Sequence, residues 1–220
     1  FAVINHPYSL AWISYDWTSL EYDAIEVWNG GFGFVEFDRQ AHAVWRCDLL
    51  QGRHVTPIGS SDNHRQFLEP PGNANHPALG YPTTAVFASD GSWPAIMAGM
   101  RSGHVAIYEG DSRLWLDGYD ASYQHAEAKD MRVVRLRGVL DAAPGGTGKL
   151  TLTRATGCLD KRPSREPPVL TEVTLLEQDV ATGASFDVEV AVSAEPGVYS
   201  AVLRAPGAHY WALSRALVVP

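Results

Sequence analysis

Residues 23–60 read DAIEVWNGGFGFVEFDRQAHAVWRCDLLQGRHVTPIGS, and the apolar runs within them predict a strand, a helix and a second strand. Ala24–Asn29 is short and rich in Val and Ile, the pattern of a strand buried on both faces. Phe37, Ala41, Val44, Trp45 and Leu49 recur at offsets 0, 4, 7, 8 and 12, which places them on one helix face, and Gly52 can supply the left-handed stop. Val55–Ser60 reads as the next strand; Pro57 weakens it by removing a ladder hydrogen bond from what should be an interior position. Working outward, Phe1–Asn5 (FAVIN) reads as a preceding strand and Thr83–Ala88 as a following one. Ser92 is a candidate N-cap for a second helix, with Trp93, Ile96, Met97 and Met100 on its buried face and Gly103 at its end. Strands alternating with helices predict parallel βα units.

From about Val105 the period changes to two. Phe186, Val188, Val190 and Val192 alternate with polar or small residues, and Leu150 and Leu152 sit between threonines. Turn signals at 144–148 (PGGTG), 195–197 (EPG) and 205–207 (APG) separate the runs. A small antiparallel sandwich of roughly six strands is expected here, so the chain divides into an α/β part over 1–108 and a β module over 109–220. Asp160–Pro168 (DKRPSREPP) reads as an exposed loop.

Composition narrows the function. In 220 residues, 45% hydrophobic content is ample for a core, and 17 basic against 25 acidic residues with three lysines exclude a phosphate-tracking nucleic-acid surface. No apolar run is long enough for a membrane span. The two cysteines permit at most one disulfide and match no thiolate metal spacing; the compartment stays open between cytoplasmic and secreted or periplasmic. Neither Cys47 nor Cys158 has a patterned His partner, so neither reads as a nucleophile.

The chemistry is positional. FAVIN ends at His6, AIEVWN carries Glu26 and ends at Asn29, and VTPIGS runs into Ser61-Asp62-Asn63-His64. At the C-terminal ends of parallel strands such side chains converge without being neighbours in sequence. Carboxylate together with imidazole suits Zn²⁺, Mn²⁺ or Fe²⁺ rather than Ca²⁺. Glu26 lies inside an apolar strand, where a lone carboxylate is costly, so it is expected to support a ligand His or the backbone rather than to bind metal, and Asn29 beside it is placed in the same supporting role. The competing reading of Asp62 is an Asx turn that closes the strand.

Taken together, NHP (5–7), DAIEVWNG (23–30), W-x-x-x-L-L-x-G-R (45–53) and GSSDNH (59–64) resemble the polymerase and histidinol phosphatase (PHP) superfamily. Within it they are similar to the branch related to carbaryl hydrolase, as are GYPTT (80–84), AIMAGMRSG (95–103) and ALSRALVV (212–219). The resemblance implies the C-terminal part of a distorted (βα)7 barrel followed by a β-sandwich-like module. It further implies a cluster of two or three divalent ions, with His6, Asp62 and His64 as ligands and Asp62 bridging. Asp62 and His64 would then be catalytic, and metal-bound hydroxide would attack a phosphoester or an activated carbonyl. The family's early H-x-H motif and central Glu ligand are absent from these residues. The expectation is therefore a fragment, its barrel completed by an upstream half of the same polypeptide or by a partner chain. The alternative is a non-catalytic protein, a barrel remnant and sandwich that bind carbohydrate or protein.

The segment from Arg65 to Pro82 follows the ligand pair and carries Arg65, Asn75 and His76. It reads equally as a substrate loop that offers donors to a small anionic substrate and as a surface connector. APGGTGKL (143–150) is not a phosphate loop, because TLTR after it reads as a strand and no helix N-terminus faces a phosphate.

Overall fold

The computed structural model describes residues 1–8, 17–30, 35–63, 79–120, 122, 124, 130–141, 146–161, 166–204 and 210–220. The chain forms two compact units, one of Phe1–Ile107 with Cys158–Val169, the other of Tyr108–Gly157 with Leu170–Pro220.

In the first unit β1 (Val3–Ile4), β2 (Ala24–Asn29) and β3 (Thr56–Ser60) form a parallel sheet in the order β1-β2-β3. All six residues of β2 are buried, as the unbroken apolar run requires of a central strand. Helix α1 (Val35–Leu50) makes the crossover from β2 to β3. It turns Ala41, Val44, Trp45 and Cys47 inward, each no more than 2% exposed. Gly52 follows at φ 78°, and the Trp45 indole N–H donates to Val55 O at 2.9 Å. β4 (Thr83–Val86) leads to helix α2 (Trp93–Arg101), capped by Ser92, whose hydroxyl accepts from Ala95 N. The buried position of α2 is Gly99, where a Cβ would come within 2.5 Å of Phe87 O. Trp93, expected on the inner face, is 71% exposed.

The expected part of a (βα)7 barrel does not form. Among the described residues there are two α-helices and twelve strands, and the parallel sheet stops at β3. A barrel needs every strand laddered on both sides. In β3, Thr56 N donates to Asp23 O and Ser60 O accepts from Gly30 N, so the even-numbered residues face β2 and Pro57 and Gly59 face outward. Pro57 has no N–H to give. Gly59 has both groups taken by one side chain: Thr84 Oγ1 accepts from Gly59 N and donates to Gly59 O, each at 2.8 Å. β4 therefore meets β3 through a hydroxyl rather than a ladder and pairs instead with β5 (Val105–Tyr108). Phe87 N donates to His104 O, which joins the exit of β4 to the entrance of β5, a return rather than a parallel crossover.

The second unit is antiparallel. β6 (Arg113–Tyr119), β7 (Val133–Val139) and β10 (Ser185–Ala191) make one sheet in the order β10-β7-β6. β8 (Thr147–Leu159), β9 (Val169–Ala181), β11 (Gly197–Arg204) and β12 (Tyr210–Val219) lie in the order β12-β11-β8-β9. Leu114, Leu116, Val134 and Leu136 from the first group share a core with Leu150, Leu152, Tyr199 and Leu203 from the second, an arrangement consistent with a β-sandwich. The Tyr199 hydroxyl donates back to Glu195 O at 2.9 Å, which pins the turn that enters β11, as tyrosine corners do in such sheets. The two cysteines are joined: Cys47 of α1 and Cys158 at the end of β8, 111 residues apart, form a disulfide.

Candidate functional site

The ends of β1, β2 and β3 are tied by Glu26. Its side chain is 2% exposed, and three donors converge on it. His6 N donates to Oε2 at 2.6 Å, Asn29 Nδ2 donates to the same oxygen at 3.2 Å, and the Ser60 hydroxyl donates to Oε1. Alternation along a regular strand would send residues 26 and 29 to opposite faces. The register with β3 slips between Glu26 and Trp28, and this bulge inserts one residue, reverses the parity and brings Glu26 and Asn29 onto one side. The bulge lies opposite Gly59, where a Cβ would come within 2.4 Å of Ile107 Cγ2. Burial pushes the Glu26 carboxyl above its ordinary value, and the bonds from Ser60, Asn29 and His6 act against that shift.

Two residues at these strand ends adopt left-handed backbone. His6 has φ 32° and Asp62 φ 50°, a conformation that costs a residue other than glycine about 1–2 kcal/mol. Such strain gathers where the surrounding structure holds a side chain in a set direction. Asp38, in the first turn of α1, accepts from Asn29 N at 3.0 Å and is buried. A small recess is lined by His6, Tyr8, Glu26, Asn29, Phe37 and Asp38, among others.

Of the residues singled out in the sequence, His6, Glu26 and Asn29 come together in this cluster, and Asp62 follows Ser60 by two positions. His64, Arg65 and His76 lie outside the described residues. Among the described residues no three His, Cys, Asp or Glu side chains stand close enough to hold a metal ion. Glu26, occupied by three donors, is no ligand in this arrangement. Ser60 and Asp38 escaped the sequence reading. A buried Glu in an apolar strand signals that donors must exist, but the donor in the next parallel strand depends on register, and the bulge that sets it has no sequence mark beyond Gly59.

No family model matches the chain, and no curated protein matches it. Among solved structures the chain is similar to a two-domain protein containing a predicted PHP-like metal-dependent phosphoesterase from Bacteroides vulgatus, at 14% identity and a TM-score of 0.36. The match covers 91% of this chain and 56% of that one, so the chain spans just over half that structure's length.

Proposed function

We propose that the chain contributes to a metal-dependent hydrolase of the PHP type, a phosphoesterase in the first instance, acting on a small anionic molecule. The observation that supports this reading is the cluster at the strand ends, where one buried carboxylate gathers the His6 turn, Asn29 and the Ser60–Asp62 turn. The order of NHP, EVWNG and GSSDNH along the chain supports it independently. In this reading His6, Asp62 and His64 are ligands to two or three divalent ions, Zn²⁺, Mn²⁺ or Fe²⁺, with further ligands from outside the described residues. When bound, such ions acidify water and stabilise the negative charge that develops during hydrolysis. Asn29 and Glu26 fix the turns that carry the ligands, and Arg65 and His76 supply donors to the substrate anion.

The test is the metal content of the intact gene product together with hydrolysis of p-nitrophenyl phosphate. Asp62→Asn keeps a side chain that tolerates left-handed backbone while removing the charge. It is expected to lower bound metal and to reduce turnover by about a hundredfold or more. A folded wild-type protein that takes up none of the three ions sinks the proposal.

A further inference from the structure

Glu26 occupies an expensive position for the support of a single neighbour. A carboxylate that is 2% exposed costs several kcal/mol to bury unless its oxygens are well occupied. Here they are occupied from all three strands of the parallel sheet: His6 N beyond β1, Asn29 Nδ2 in β2 and Ser60 Oγ at the end of β3. Two of these donors adjoin the strained positions, since His6 itself has φ 32° and Asp62, two residues after Ser60, has φ 50°. The β2 bulge is what allows one side chain to reach all three donors, because it places Glu26 and Asn29 on the same side.

We infer that Glu26 is a positioning residue that couples the His6 turn to the Ser60–Asp62 turn, so that the two strand ends adopt their binding geometry together. The inference rests on the metal-hydrolase reading for its functional meaning, but the coupling is a property of the strand ends and can be read without metal. A Gln side chain can preserve the arrangement. Its carbonyl oxygen can accept from His6 N and Asn29 Nδ2 while its amide donates to the Ser60 hydroxyl, which is also an acceptor. An Ala side chain preserves none of these bonds.

The experiment uses the intact gene product and its Glu26→Gln, Glu26→Ala and Ser60→Ala variants. Zn²⁺ alone is titrated by calorimetry, and amide hydrogen exchange at His6 is followed in metal-free protein. The expected results are about tenfold to hundredfold weaker Zn²⁺ binding in Glu26→Ala, the range for loss of a group that orients ligands, with affinity restored in Glu26→Gln. The His6 amide should be protected in wild type, Glu26→Gln and Ser60→Ala and should exchange at least about tenfold faster in Glu26→Ala, as expected when a buried bond is lost. Ser60→Ala, which cuts the β3 link alone, should weaken Zn²⁺ while His6 stays protected. It carries the test if Glu26→Ala does not fold. Unchanged His6 protection in a folded Glu26→Ala, or full Zn²⁺ affinity in Ser60→Ala, overturns the coupling. Absence of Zn²⁺ binding by wild type overturns the functional reading instead, and the exchange data still decide whether Glu26 holds the His6 turn.

Discussion

Glu26 also makes the titration of the fold informative. Burial raises its carboxyl above the ordinary glutamate value, so the folded chain holds that proton more tightly than the unfolded chain does. The sign follows: the group favours folding fully below its ordinary value, and that contribution is lost as the pH rises through the raised value. Glu26→Gln cannot titrate. The stability difference between wild type and Glu26→Gln should therefore move against wild type as the pH rises above the ordinary glutamate value. Urea unfolding at several pH values measures it, and a difference that stays flat with pH would show that Glu26 titrates alike in both states. His6 and Asp62 make a complementary point at this scale. Their residue types and their places after two strands were legible in the sequence, whereas their left-handed backbone was not, because local composition around NHP and SSDN also suits ordinary turns.

At the scale of elements, what could be read was set by local physics. β2 declared itself by six consecutive residues fit for burial and α1 by its apolar stripe, since each depends on its own periodicity. The alternating strands of the second unit were legible for the same reason. The closing of the sheet at β3 was not, because it depends on a contact between Gly59 and Thr84, 25 positions apart. Pro57 is the local mark of it, a missing donor on the outward edge, and the alternation of strands and helices around it masks that signal. Gly59 now yields a sharp expectation. A Cβ there would lie 2.4 Å from Ile107 Cγ2 and 3.1 Å from Pro82 Cγ, so Gly59→Ala should cost about 1–3 kcal/mol through overpacking. The same substitution presses on the β2 bulge, so the loss should come with faster exchange of the His6 amide. Thermal unfolding with no loss of stability would show that Ile107 can give way.

At the scale of the whole molecule the Cys47–Cys158 disulfide joins positions 111 residues apart. Closing so long a loop limits the unfolded ensemble, and its removal is expected to cost about 3 kcal/mol, roughly 6–12 °C in melting temperature for a chain of this size. Melting curves with and without dithiothreitol, and with Cys47→Ser, test this; coincident curves would show that the bond does not contribute. Disulfides of this kind persist in oxidising surroundings. The sequence allowed a single bridge and left the compartment open, and the bond favours the exported alternative. Thiols of protein isolated from its native cells should accordingly resist alkylation until reduced.

The hydroxyl of Thr84 gives the parallel sheet a direction of growth. With Pro57 lacking a donor and both backbone groups of Gly59 occupied, the β3 margin is closed to templating by any extended segment. At the other margin β1 is two residues long, its own Val3 37% exposed and Phe1 before it 45% exposed. Among the described residues, the β1 margin is therefore the one on which an added strand would register. Such a strand would arrive beside the turn that carries His6.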